Sequence, residues 1–205
     1  MNAFKEISDD LRKTIVKGLK HKIILNPILP SETPSSISSK STFFRDEDEY
    51  KTEYVRAYER NEYLFAMNDG SFFQINYEFN KKSKNKVYVS KMNLCFLPNV
   101  IDDKLAHSYI RLDFDPESKN SFFHSQAHLH IGFDSDIRIP VNNIILFSDF
   151  FEFIIYLFYN ENLHLWNEKL EIGHTVSKAL DGLSEYDILP KELEKYFYLH
   201  QKANN

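Results

Sequence analysis

Two short stretches, His107-Ser-Tyr-Ile-Arg-Leu-Asp-Phe114 and Gln126-Ala-His-Leu-His-Ile-Gly-Phe133, constrain the fold more than anything else in the chain. Both alternate with period 2, the signature of a strand with one wet face and one buried face. In the first, Ile110, Leu112 and Phe114 point one way, and Tyr109, Arg111 and Asp113 the other. In the second, Ala127, Leu129, Ile131 and Phe133 share a face, and His128 and His130 share the opposite one. The connection is short, so an antiparallel pair is the least costly topology. Such a pair collects Arg111, Asp113, His128 and His130 on one polar surface.

The remaining pattern supplies a sheet and helices to complete it. Phe4, Ile7, Leu11, Ile15, Val16 and Leu19 recur at helical spacing and predict an amphipathic helix over 3–21. Residues 26–42, rich in Pro and Ser, read as an extended linker. The acidic run 46–49 opens a second helix in which Tyr50, Tyr54 and Tyr58 fall four apart. Asn68-Asp69-Gly70, flanked by apolar residues, predicts a hairpin within 63–79, because Gly tolerates the positive φ of a tight turn.

A lysine-rich loop over 80–86 then leads to a strand over 87–97, the two motif strands and a short piece over 137–141. Beyond these the chain turns helical, over 146–159, 163–170 and 190–202. The stripe of Phe147, Phe150, Phe151, Ile154, Ile155 and Phe158 is expected to lie on the apolar sheet face. Strands followed by helices indicate α+β in a single domain over 1–205. The sheet, about 62–141, is expected to be a mostly antiparallel meander of five or six strands. The N-terminal helix and the C-terminal helices (146–202) pack on one face. The other face is expected to be partly open and to display the histidine patch.

Composition removes several function classes. With only 5 Gly, the chain has neither a P-loop nor a dinucleotide fingerprint. A net charge of −5 argues against broad nucleic-acid binding but leaves room for a small basic site. The single Cys95 excludes an internal disulfide and any paired-cysteine metal site, and reads as a buried inert thiol. The 18 Phe and 12 Tyr favour a sheet-rich core. The N-terminus is charged too early for a secretory signal, and the apolar stretch 144–159 is interrupted and short. A cytoplasmic protein with no membrane association is the expectation.

His128-Leu-His130 carries the sharpest chemical signal, since strand spacing projects both imidazoles to one side, about 6–7 Å apart at the backbone. That reach suits two ligands of one metal, or an acid and a base flanking a phosphodiester. Two histidines supply only half of a tetrahedral metal shell, and Asp113 or His124 would have to complete it. Metal-independent chemistry without a cofactor is therefore the expectation. A histidine-triad site would need a third alternating histidine, and Gly132 stands there instead. Tyr109, on the same face as Arg111, and Gln74 and Glu78, alternating with apolar residues, are candidate substrate contacts. The lysines between Lys81 and Lys91 read as a solvated loop. Against all this stands a bland alternative: a bonded histidine pair and an Arg–Asp pair with only structural roles.

Four segments in order, 68–79 (Asn-Asp-Gly-Ser-Phe-Phe-Gln-Ile-Asn-Tyr-Glu-Phe), 109–116 (Tyr-Ile-Arg-Leu-Asp-Phe-Asp-Pro), 128–132 (His-Leu-His-Ile-Gly) and 138–141 (Arg-Ile-Pro-Val), resemble a bacterial family. It is the uncharacterised domain-of-unknown-function family 2290. The Arg-x-Asp strand followed by a histidine-rich strand more distantly resembles TumE-type toxins of toxin–antitoxin pairs. There Phe114 replaces the asparagine that follows the Asp in those toxins. The resemblance implies an accessory protein of a mobile or phage-defence locus and brings no established reaction.

Two functions are therefore expected of this chain. In the first, the polar face binds or cleaves a phosphodiester, with RNA or a nucleotide as partner, as a ribonuclease or phosphodiesterase. His128 and His130 exchange protons, Arg111 stabilises charge on phosphorus and Asp113 orients an imidazole. In the second, the protein is a non-catalytic interaction subunit that binds a co-encoded partner.

Overall fold

The structure, a computed structural model, describes residues 3–40, 44, 46–83, 86–100, 109–115, 127–132, 138–141 and 146–159. The expected helices over 163–170 and 190–202 lie outside the described residues. So do His124 and Phe133.

Among the described residues the chain is α+β: three helices and nine strands of one antiparallel sheet. The helices are α1 (Ala3–Lys20), α2 (Glu47–Glu59) and α3 (Phe147–Phe158). The strands are β1 (Ile24–Leu25), β2 (Ser31–Thr33), β3 (Ser36–Lys40), β4 (Phe65–Met67), β5 (Phe72–Ser83), β6 (Lys86–Leu97), β7 (Ile110–Phe114), β8 (Ala127–Ile131) and β9 (Arg138–Pro140). The spatial order is β1-β4-β5-β6-β7-β8-β9, with β3 also paired to β5 and β2 to β3.

Nine strands exceed the expected five or six for two reasons. First, the Pro/Ser-rich segment read as a linker folds into the β2–β3 hairpin, and β3 pairs with the distal half of β5 from Ser36↔Glu78 to Lys40↔Ile75. Edge pairing of this kind is driven by backbone hydrogen bonds and needs only one buried side chain, Ile37. Second, two-residue β1 closes the other edge against β4. The expected lysine loop is also shorter than its composition suggests, because β5 and β6 extend to Ser83 and Lys86.

One face of the sheet is predominantly apolar. Phe73 packs against Phe65, Phe96, Phe147, Phe150 and Phe151, with ring centroids 5.1–6.2 Å apart. Phe96 stacks on Phe158. The aromatic stripe of α3 therefore lies where its spacing placed it. Helix α1 covers the same face with Ile7, Leu11 and Ile15, whereas Val16 and Leu19, expected in the stripe, are exposed. Gly18 belongs to the buried stripe instead: a Cβ there would meet Ile24 at 2.9 Å, so glycine lets α1 approach β1. Asp10 of α1 accepts the Ser148 backbone N–H at 3.0 Å, supplying the first turn of α3 with the cap it otherwise lacks.

The opposite face carries α2. Asp46 caps it by accepting from the Glu49 N–H at 2.8 Å. It ends in a Schellman motif: Glu62 N–H to Ala57 carbonyl, 2.9 Å, and Asn61 N–H to Tyr58 carbonyl, 3.2 Å, with Asn61 at φ 55°. The buried side of α2, Tyr50, Tyr54 and Ala57, packs on Phe72, Leu97 and Cys95. Tyr50 donates to the Pro98 carbonyl and Tyr54 to the Gly70 carbonyl at 2.7 Å. The expected hairpin forms around Asn68-Asp69-Gly70, with Gly70 at φ 89°. No helix among the described residues is long and apolar enough to cross a membrane.

Candidate active site

Strand pairing places the motif residues in a grid. β7 and β8 pair antiparallel with Arg111 opposite His130 and Asp113 opposite His128. β6 flanks β7 with Cys95 opposite Arg111 and Asn93 opposite Asp113. Directly opposed residues of an antiparallel pair project to the same side. Arg111, Asp113, His128, His130, Asn93 and Cys95 thus share the face that carries α2, while Ile110, Leu112 and Leu129 enter the apolar core.

Asp113 is the hub. Its Oδ2 accepts from Arg111 Nε at 2.8 Å and lies 2.7 Å from Arg111 Nη2. Its Oδ1 accepts from Asn93 Nδ2 at 2.7 Å. His130 Nε2 stands 3.4 Å and His128 Nε2 3.8 Å from Oδ2, and the two imidazoles meet edge to face at 4.7 Å between centroids. Burial alone would raise the Asp113 pKa. The neighbouring His130 imidazole, the Arg111 guanidinium and the Asn93 amide outweigh it and hold the carboxyl below its ordinary range. Burial likewise works against the Arg111 charge, but the Tyr109 oxygen and the Asp113 carboxylate more than restore it.

In one respect the site departs from expectation. The face was expected to be partly open, yet Arg111 is 7% exposed and His128 and His130 are each 4% exposed. The same face also carries α2 and its aromatic layer, with Phe44 and Tyr50 packed on Tyr109 beside the cluster. Within this buried cluster, His130 Nε2 has no hydrogen-bond partner among the described residues. A buried, unmatched polar nitrogen costs free energy, on the order of 1–3 kcal/mol. Ile131, expected in the core, is 39% exposed, because β8 ends there at Gly132, whose φ is 72°.

The candidate substrate contacts divide. Tyr109 adjoins the cluster and hydrogen-bonds Arg111, and burial pushes its phenol far above the ordinary range, so it is a neutral partner. Gln74 lies on the same face opposite Cys95, two strands from Arg111, about 10 Å away by strand spacing. It is buried and gives its amide to the Glu62 carbonyl at 2.8 Å, where the end of α2 presents it. Glu78 is exposed, pairs in register with Lys91 and is not part of the cluster. Asn93 is the residue that sequence reading missed; its sole signal was its place on the strand neighbouring β7.

The fold and this site define an α+β protein with an Arg–Asp–His–His cluster on one face of an antiparallel sheet. The chain belongs to the family described as "Uncharacterized conserved protein (DUF2290)", whose model matches residues 26–106 and 99–189. No curated protein and no solved structure matches the chain.

Proposed function

We propose that this is a bacterial accessory protein, of a mobile or defence locus, whose cluster binds and cleaves a phosphodiester in a ribonuclease-like reaction without a metal. One observation carries the reading: two imidazoles beside a guanidinium fixed by a carboxylate, with one imidazole nitrogen left unmatched. Unmatched buried nitrogens cost stability and are worth keeping where a ligand completes them.

In this reaction one imidazole removes the proton from the attacking hydroxyl as its oxygen bonds to phosphorus. The other protonates the leaving oxygen as its bond to phosphorus breaks. Arg111 neutralises the charge that grows on the phosphoryl oxygens, and exclusion of water strengthens that interaction. Asp113 keeps the guanidinium in place. Tyr109 hydrogen-bonds Arg111, and Gln74 of β5 lies on the same face.

The burial of both imidazoles favours a second reading, a non-catalytic subunit that holds a co-encoded protein partner. The deciding experiment incubates purified protein with mixed RNA, single-stranded DNA and nucleotides, with and without chelator. Cleavage that survives chelation and falls by roughly 10² or more in His128→Ala and His130→Ala supports the enzyme. No cleavage, with submicromolar binding of a co-encoded protein that both variants retain, establishes the second reading.

A further inference from the structure

We infer that Asp113, His128 and His130 form a site for one divalent transition-metal ion of the zinc class. This goes beyond the phosphodiester reading and does not depend on it.

The distances carry the inference. Two ligands each about 2.0–2.1 Å from a tetrahedral ion stand about 3.4 Å from one another. Asp113 Oδ2 is 3.4 Å from His130 Nε2 and 3.8 Å from His128 Nε2, and one ligand atom from each of the three lies within 4.8 Å of the others. Those separations are long for N–H···O bonds, which close to about 2.7–3.2 Å. The two edges to Asp113 are close to those of a shell around one ion, and the edge between the imidazoles, within 4.8 Å, closes by rotation of the His128 and His130 rings.

His130 supplies an independent observation. Its Nε2 is buried, faces Asp113 and has no hydrogen-bond partner among the described residues. A metal ion would satisfy that lone pair. Asn93 holds the other carboxylate oxygen, Oδ1, as an outer partner usually does, while Oδ2 would be shared between the ion and Arg111.

Two imidazole nitrogens and one carboxylate oxygen suit zinc and its neighbours, whereas magnesium and calcium take oxygen ligands. Three protein ligands leave a fourth position for water or an anion. Arg111 already neutralises Asp113, so a bound dication leaves net positive charge, favours an anion in that position and binds less tightly than in a structural zinc site. An imidazole nitrogen bound to metal cannot exchange a proton, so zinc is expected to suppress acid–base cleavage at this cluster.

The test uses metal-freed full-length protein dialysed to equilibrium against Zn²⁺, with Mg²⁺ as a parallel arm and bound metal counted. The chain has 8 His, so His21→Ala serves as a control for adventitious binding. The expected result is a zinc ion that His21→Ala keeps, with Mg²⁺ not retained. His130→Asn and Asp113→Asn should weaken that zinc by roughly 10-fold or more, and Asn93→Ala by a similar factor. Absence of bound zinc, undiminished binding in His130→Asn, or equal retention of Mg²⁺ overturns the inference.

If the variants do not fold, zinc-soaked crystals of the wild type decide by anomalous scattering. A peak about 2 Å from both imidazoles supports the site, and a map without one there refutes it. Zinc binding without any cleavage would refute only the phosphodiester reading; cleavage without zinc binding would refute only this one.

Discussion

The two faces of the β7–β8 pair are built from the same alternation, and both are buried, yet they are made in opposite ways. On one, Ile110, Leu112 and Leu129 meet the phenylalanines of β5, β6 and α3. Shape and volume dominate there, although the buried Tyr77 hydroxyl of that core has no hydrogen-bond partner among the described residues. On the other, Arg111, Asp113, His128 and His130 are almost equally hidden but polar, and His130 Nε2 faces the Asp113 carboxylate at 3.4 Å without a hydrogen bond among the described residues. Burial therefore does not distinguish scaffold from site in this molecule. Polarity does.

The largest effect should come from breaking the apolar face at its centre. Phe73 is fully buried and touches aromatic rings from β4, β6 and α3, so Phe73→Ala should lower unfolding free energy by about 3–5 kcal/mol in urea titration. A loss under about 1 kcal/mol would show that this core collapses easily and that the contrast between faces is overdrawn.

On the polar face the comparable change is Asp113→Ala, which strands the Arg111 charge. It should cost about 3 kcal/mol, the usual penalty for breaking a buried pair from one side. The pair also gives a pH signature. The Asp113 pKa lies below the ordinary 3.8, so its stabilisation is complete above the unfolded value and is lost as pH falls through the lower folded value. The stability gap between wild type and Asp113→Asn should accordingly hold steady from neutrality down to about pH 4 and shrink below it. A gap that shrinks already near pH 6 would mean that histidine protonation, not Asp113, controls the cluster.

A smaller effect is expected beneath α2. Tyr50→Phe removes the hydrogen bond to the Pro98 carbonyl but keeps the ring, and should cost about 1 kcal/mol. The smallest is expected at His130. Because its Nε2 makes no hydrogen bond among the described residues and meets Asp113 only at 3.4 Å, His130→Leu should change stability by less than about 1 kcal/mol while removing the proposed cleavage. Chemical denaturation of His130→Leu beside Leu129→Ala sharpens the contrast, since Leu129→Ala should cost about 2–5 kcal/mol. Equal losses from the two would make the histidine a structural element.

The contrast was legible in the sequence to the extent that it rests on alternation. Period 2 in β7 and β8, with a short connection, sufficed to collect Arg111, Asp113, His128 and His130 on one face, while the register that sets Arg111 opposite His130 and Asp113 opposite His128 is seen only in the structure. The stripe of α3 and the Asn68-Asp69-Gly70 turn were legible for similar local reasons. What escaped depended on distant parts of the chain. β2 and β3 carry polar, Pro-flanked sequences and are strands because β5 offers an unpaired edge. The burial of the histidines could not be read from β8 either, since side-chain period tells which face a residue takes and not what covers that face. Asn93 was missed because its role is set by register across β6, which its own neighbours do not announce.

The central claim is that the Arg–Asp–His–His cluster does acid–base work on a phosphodiester, and the rate of RNA cleavage against pH, with chelator present, tests it most directly. The account predicts a bell-shaped profile over about pH 5 to 9, because one imidazole must be neutral while the other is charged. It also predicts that Arg111→Ala lowers both binding and turnover and that His130→Ala abolishes the bell. Wild-type protein that cleaves no RNA at any pH, or whose profile is unchanged in His130→Ala, would contradict it.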